Sequence, residues 1–183
     1  MTEKKRQRFK VGSICKLKLS KNKFIFGRML PGFQISIYDL LTNSDIDMPS
    51  IDEIIKNKIL LTVGIYRNNI TKRIFEIVGF KELTQTEIDK IPPMFMQSLG
   101  DYEDCSIFYH DGKEYKVSPK ECIGLERSAV WDEHSLIERI EDFYKGNKNF
   151  HVELQKVILS SDDPRYLNPN VRWDFKEGKF YKE

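Results

Sequence analysis

No stretch of this chain approaches the ~18 consecutive apolar residues of a membrane span, and no apolar core follows its basic opening, MTEKKRQRFK, so that opening does not read as a secretory signal. Cysteine is scarce. Cys15, Cys105 and Cys122 form no close pair at metal spacing, and an odd, sparse count reads as reduced thiols, which predicts a cytoplasmic protein. Histidine is scarce too: His110, His134 and His151 fall in no HxH or HExxH arrangement, so the three or four convergent ligands of a zinc site are not in view. No serine sits in a G-x-S-x-G elbow and no G-x-x-x-x-G-K-[ST] phosphate loop is present. Internal repeats and low-complexity tracts are missing as well. These absences predict a non-enzyme with no catalytic, cofactor-binding or metal-ligating residues and no cofactor. A Cys122/His110 pair assembled in space stays open as a nucleophile and base, against core cysteine and turn histidine as the plain reading. Asp101, Glu103 and Asp104 read as a solvated loop rather than paired catalytic acids.

What is present is enough for a folded body. A length of 183 residues with 40% hydrophobic content suits one domain with a real core, and 32% charged residues imply a strongly ionic surface. The expected organisation is a disordered basic segment over residues 1–8 and a single domain over 9–183, with 147–183 an extension that is harder to read. The net charge of +2 hides an asymmetry: residues 1–28 hold ten basic side chains and one acid, so the remainder is net −7. A basic head of this kind fits nucleic-acid binding, but stacking aromatics do not interleave with its charges. A solvated terminus and a lysine-studded edge strand are the plainer reading, so a nucleic-acid partner is not expected.

From Phe9 onward the pattern is that of short strands. In VGSICKLKLS, Ile14, Lys16 and Lys18 alternate with Cys15, Leu17 and Leu19, the period-2 mark of a half-buried strand. KFIFGRML follows a Lys21–Asn22 turn and carries Gly27, which predicts a bulge or close backbone approach. After the Pro31–Gly32 turn comes FQISIYDL, with Phe33, Ile35 and Ile37 on one face. Ser50 to Glu53 and Thr84 to Glu87 have capping-box spacing. ILLTVGIY and RIFEIVGF read as further strands, PMFMQSL as extended after Pro92–Pro93, and CSIFYHDGKEYKV as a hairpin turning at Asp111–Gly112. Ser118-Pro-Lys-Glu121 predicts a single helical turn. His151–Leu159 reads as a strand and VRWDFKEGKFY as a closing hairpin or a packed arm. The fold class predicted is α+β: a curled, mostly antiparallel sheet or small, partly open barrel, one main helix in the C-terminal half, and one or two short helices.

Residues 124–146, GLERSAVWDEHSLIERIEDFYKG, organise the rest. Leu125, Arg127, Ala129 and Trp131 alternate with their neighbours as a strand. Leu136, Ile137, Ile140, Phe143 and Tyr144 then form one apolar helical stripe, closed by Gly146. From Glu121 to Asp142 there are seven acids against two arginines. A soluble helix face explains this run; so does an acidic docking surface for a basic partner, carried by Glu126, Asp132, Glu133, Glu138, Glu141 and Asp142.

With those motifs in view, the chain resembles the immunity protein 26 family of bacterial polymorphic-toxin systems. The resemblance lies in Phe9-x-x-Gly12, the FIFGR segment ending at Gly27–Arg28, Ile37-Tyr38-Asp39, Pro92–Pro93 with Phe95, and GLERSAVW with its helix, over residues 9–146. Ser13 stands where the family commonly has Asp. The resemblance implies an immunity protein that binds and neutralises a cognate bacterial toxin, with no membrane partner. Gly12, Gly27, Arg28, Tyr38, Asp39, Gly124 and Trp131 are then residues that specify the fold. Arg28 and Asp39 are expected to pair. A metal-dependent, phosphotriesterase-like hydrolase and a nucleic-acid-binding barrel remain the alternatives.

Overall fold

The computed structural model describes residues 7–43, 48–168 and 170–181. Most of the N-terminal segment expected to be disordered, residues 1–6, lies outside them. Gln7 is held: its side-chain amide donates to the Ile70 and Phe75 carbonyls and accepts from the Ile77 N–H.

Strands β1 (Ser13–Ser20), β2 (Lys23–Leu30) and β3 (Gln34–Thr42) open the chain, followed by helix α1 (Ile51–Lys56), β4 (Ile59–Ile65), α2 (Arg67–Thr71), β5 (Phe75–Phe80) and α3 (Gln85–Asp89). Next come β6 (Met94–Gln97), β7 (Cys105–Phe108), β8 (Glu114–Val117), and two very short strands, β9 (Glu126–Arg127) and β10 (Val130–Trp131). Helices α4 (Glu133–Lys145) and α5 (Phe150–Gln155) and the hairpin β11 (Arg172–Asp174) to β12 (Lys179–Tyr181) complete it. The fold is α+β with a curled, mostly antiparallel six-stranded half-barrel sheet and one main helix, as the sequence predicts.

The chain forms two compact units: Met1–Ile91 with Ala129–His134, and Pro92–Ser128 with Ser135–Glu183. In the first, the sheet order is β10-β4-β3-β2-β1-β5, antiparallel except for β10 against β4. β2 lies at its centre and is buried from Phe24 to Leu30. One face packs Ile14, Phe26 and Tyr38 under Ile54 of α1. That helix starts where its capping box directs: Glu53 N–H donates to Ser50 Oγ at 3.3 Å, and Ser50 N–H donates to Glu53 Oε2 at 2.7 Å. Gly27 sits at the expected bulge, where a Cβ would lie 2.8 Å from Ile35 Cδ1 and 2.9 Å from Ile37 Cδ1. Only glycine lets β3 approach this closely. Phe33, expected to share a face with Ile35 and Ile37, instead closes a 3-10 turn at Pro31–Phe33 and is exposed.

The second unit has sheet order β8-β7-β6-β9 over a small core of Phe95, Cys105 and Cys122. Gln97 ties it together from a buried position, donating to the Tyr102 and Ile158 carbonyls at 2.7 Å and accepting from the Ile158 N–H at 2.9 Å. Two sequence expectations change here. LERSAVW is not one strand: β9 pairs with β6 in one sheet and β10 with β4 in the other, with the break at Ser128–Ala129. His151–Leu159 is not a strand: its first half is α5, started by Asn149, whose side chain accepts from Val152 N–H at 3.1 Å. The Asp111–Gly112 and Glu177–Gly178 hairpins and the turn at Pro119–Cys122 are present.

Candidate functional site

Helix α4 ends as glycine chemistry dictates. Gly146 adopts φ 70, its N–H donates to the Phe143 carbonyl, and Asn147 N–H donates to the Asp142 carbonyl, the paired bonds of a Schellman cap. Its apolar stripe is only partly buried. Leu136 and Ile140 are fully enclosed, but Phe143 is 53% and Tyr144 38% exposed, and the two rings meet edge to face at 5.4 Å. The expectation of five buried stripe residues is therefore corrected: the last turn turns its aromatics outward.

The six acids expected to form a docking face divide by environment. Glu126 is taken up internally by a two-pronged pair with Arg139, at 2.8 Å from each guanidinium nitrogen to its own carboxylate oxygen. Asp142 is half-buried and accepts from the Asn149 side chain at 2.8 Å, holding the turn between α4 and α5. Glu141 is also half-buried and pairs with Lys145 at 2.9 Å; Glu138 is exposed, 3.5 Å from His151 Nε2. Asp132 and Glu133 are exposed and belong to the first unit.

A cavity of about 480 Å³ opens in the second unit. Its walls are mostly apolar, from Ile123, Leu125, Val152, Val157 and Leu159, and Arg127, Arg139 and Gln155 reach it. Arg127 Nε donates to the Gln155 carbonyl at 3.1 Å, and its terminal nitrogens donate to the Gln97 carbonyl at 3.4 Å and to Gln97 Oε1 at 3.1 Å. The guanidinium stacks 5.0 Å above Phe95. Burial lowers its pKa, with a further push from the Arg165 charge. Sequence reasoning did not single out Arg127. The available signal was an arginine on the same parity as Leu125, Ala129 and Trp131, a charge at an inward position.

The residues expected to specify the fold occupy structural positions. Gly12 has φ 88, and a Cβ there would lie 2.6 Å from the Lys81 carbonyl oxygen. Arg28, 2% exposed, donates to Glu87 Oε1 at 2.6 Å and to the Lys81 and Glu82 carbonyls at 2.9 and 2.7 Å. Its carboxylate partner is thus Glu87 and not Asp39, whose N–H donates to the Lys58 carbonyl. Burial pushes the Glu87 carboxyl up, but hydrogen bonds from Thr84 and Arg28 outweigh it and hold the group below its ordinary 4.5. Burial also raises the Tyr38 hydroxyl, against the opposing influence of Arg28. Trp131 is buried, and its carbonyl accepts from Asn69 Nδ2 at 3.4 Å. Gly124 has φ 82 in open space.

The thiols are chemically quiet. Burial pushes Cys122 up to about 11 and raises Cys105 and Cys15 as well, so none offers a thiolate at neutral pH. Among the described residues, no group of three or more His, Cys, Asp or Glu is placed to hold a metal ion, and no helix is long and apolar enough to cross a membrane. The sequence model of the Immunity protein 26 family matches residues 10–106. That match takes in the whole β1 to β5 meander and β6, and ends before Gly124 and Trp131. Neither the curated proteins nor the solved structures contain a match.

Proposed function

We propose that this chain, which belongs to the immunity protein 26 family, binds a cognate bacterial toxin in the cytoplasm and neutralises it stoichiometrically, by occupancy rather than by chemistry. The observation that carries the reading is the exposed Phe143–Tyr144 pair on the last turn of α4, with Glu141 one turn before Tyr144 and Glu138 further back on the same helix. Large aromatic side chains held outside a core are the usual anchors of protein interfaces. Acids on the same helix steer a basic partner and make association sensitive to salt. Of the acids in this segment, Glu138 and Glu141 are assigned the steering role. Glu126 and Asp142 hold the scaffold, because their partners Arg139 and Asn149 are shielded from water, whereas Lys145, the partner of Glu141, is exposed. Asp132 and Glu133, exposed on the first unit, are the remaining candidates for toxin contact.

The test is co-expression with the toxin encoded beside this chain, with pull-down of the complex. The Glu138→Lys/Glu141→Lys variant is expected to bind about tenfold more weakly, chiefly through a slower and less salt-dependent association rate, with an unchanged thermal midpoint. No rescue of cells by the wild-type chain refutes the function. Unchanged affinity in the double variant refutes the surface.

A further inference from the structure

Three arginines in the second unit are placed to report on what its cavity lacks. Arg139 is matched by Glu126, and Arg165 by Asp163 at 2.6 Å. Arg127 has no carboxylate within salt-bridge distance among the described residues; its partners are neutral oxygens of Gln97 and Gln155. A guanidinium has five N–H donors, and three hydrogen bonds leave donors on both terminal nitrogens unused. The apolar walls of the same cavity are a second, complementary feature.

Arg127 calls for a carboxylate, and the walls call for an apolar group. A fatty-acid-like carboxylate and a peptide segment with an acid beside an apolar residue both supply these. The apolar surface also continues past the cavity mouth: Ile123 is 59% and Leu159 51% exposed, area that a small molecule filling about 480 Å³ would leave wet. β9, which contributes Arg127, is the end strand of its sheet, and extended segments are the ligands that add to sheet ends.

We infer that this cavity receives an extended segment of the toxin in which an Asp or Glu lies next to an apolar residue, the carboxylate meeting Arg127 and the apolar side chain filling the pocket. The inference rests on the toxin-binding reading above and adds the chemistry of the partner. It also gives the interface a sign pattern. Acids of α4 attract basic groups of the toxin, and Arg127 selects an acid, so a toxin lacking either is rejected.

The experiment uses the full chain and the neighbouring toxin. Affinities are measured by titration calorimetry for wild type, Arg127→Gln, and Leu159→Glu, the last a rim change that repels a carboxylate and leaves the buried core untouched. Overlapping 12-residue peptides tiling the toxin are probed on an array, and octanoate is titrated as a small apolar carboxylate. The expected result is a loss of about tenfold or more in toxin affinity for both variants, with the thermal midpoint unchanged for Leu159→Glu and lowered by only a few degrees for Arg127→Gln. Captured peptides should carry an acid beside an apolar residue and be lost when that acid becomes Asn or Gln. Two variants that bind toxin as tightly as wild type overturn this inference alone. Octanoate displacing the toxin while no peptide is captured overturns it in favour of a small-molecule site. A wild-type chain that binds no toxin brings down the functional reading itself.

Discussion

Each unit of this protein removes an arginine from water, and the two do so differently. Arg28 in the first unit is nearly inaccessible and meets a carboxylate, Glu87, plus two backbone carbonyls. Glu87 is itself fixed, since its other oxygen accepts from the Thr84 N–H and hydroxyl at the start of α3. One carboxylate thus closes a helix cap and neutralises a buried cation, and the loop from Lys81 to Glu87 is pinned to the sheet. Arg127 in the second unit is half-buried and meets only neutral oxygens and a ring. A buried charge matched by a carboxylate is architecture, even though the Arg28 Nε–H itself finds no acceptor. One with no carboxylate beside an apolar cavity has the character of a binding site, where local stability is given up for recognition.

The largest expected effect comes from breaking the first arrangement. Glu87→Ala strands the Arg28 guanidinium and removes one half of the α3 capping box, and is expected to cost about 3 kcal/mol in urea unfolding. That sits at the low end for a buried pair because the carboxylate is itself partly wet. Arg127→Gln orphans no carboxylate, so it should cost only about 1.5 kcal/mol, the low end for hydrogen bonds donated by a charged group to neutral oxygens. Equal losses in the two variants would erase the contrast drawn above. A finer test is the acid limb of the stability curve. The Glu87 carboxyl is held below its ordinary 4.5 in the folded chain. Its contribution is therefore complete above that value and disappears as pH falls through the lower, folded one. Replacing Glu87 with Gln should flatten this limb, whereas Arg127→Gln should run parallel to wild type.

What was legible in the sequence was local. The two capping boxes, at Ser50 and Thr84, the single helical turn after Ser118 and the Asp111–Gly112 hairpin form as read, because each rests on residues a few positions apart. The meander from Ser13 to Thr42 also stands, set by alternation and tight turns. Longer-range choices were not legible. HVELQKVIL carries both a two-residue and a helical period, and the Asn149 cap decides for helix. Arg28 finds its partner 59 positions away, beyond any spacing rule. In α4 the stripe continues to Tyr144, yet periodicity cannot say how far along the helix the cover extends. Of the candidate site, the acids were visible as a run, but that Glu126 and Asp142 are engaged internally follows only from their neighbours in space. Arg127 was visible only as a charge of the wrong parity.

The strand β10 has a consequence for how the protein comes into being. It completes the first sheet beside β4, with Val130 opposite Gly64 and a close approach of Ala129 that Gly64 alone permits. About 65 residues of chain, including all four strands of the other sheet, are synthesised between these partners, and so large a loop closes late. On the ribosome the first sheet therefore waits with an open β4 edge until Trp131 emerges. A fragment cut at residue 106, where the family match ends, would keep that edge open permanently, an invitation to pair with a second copy of itself.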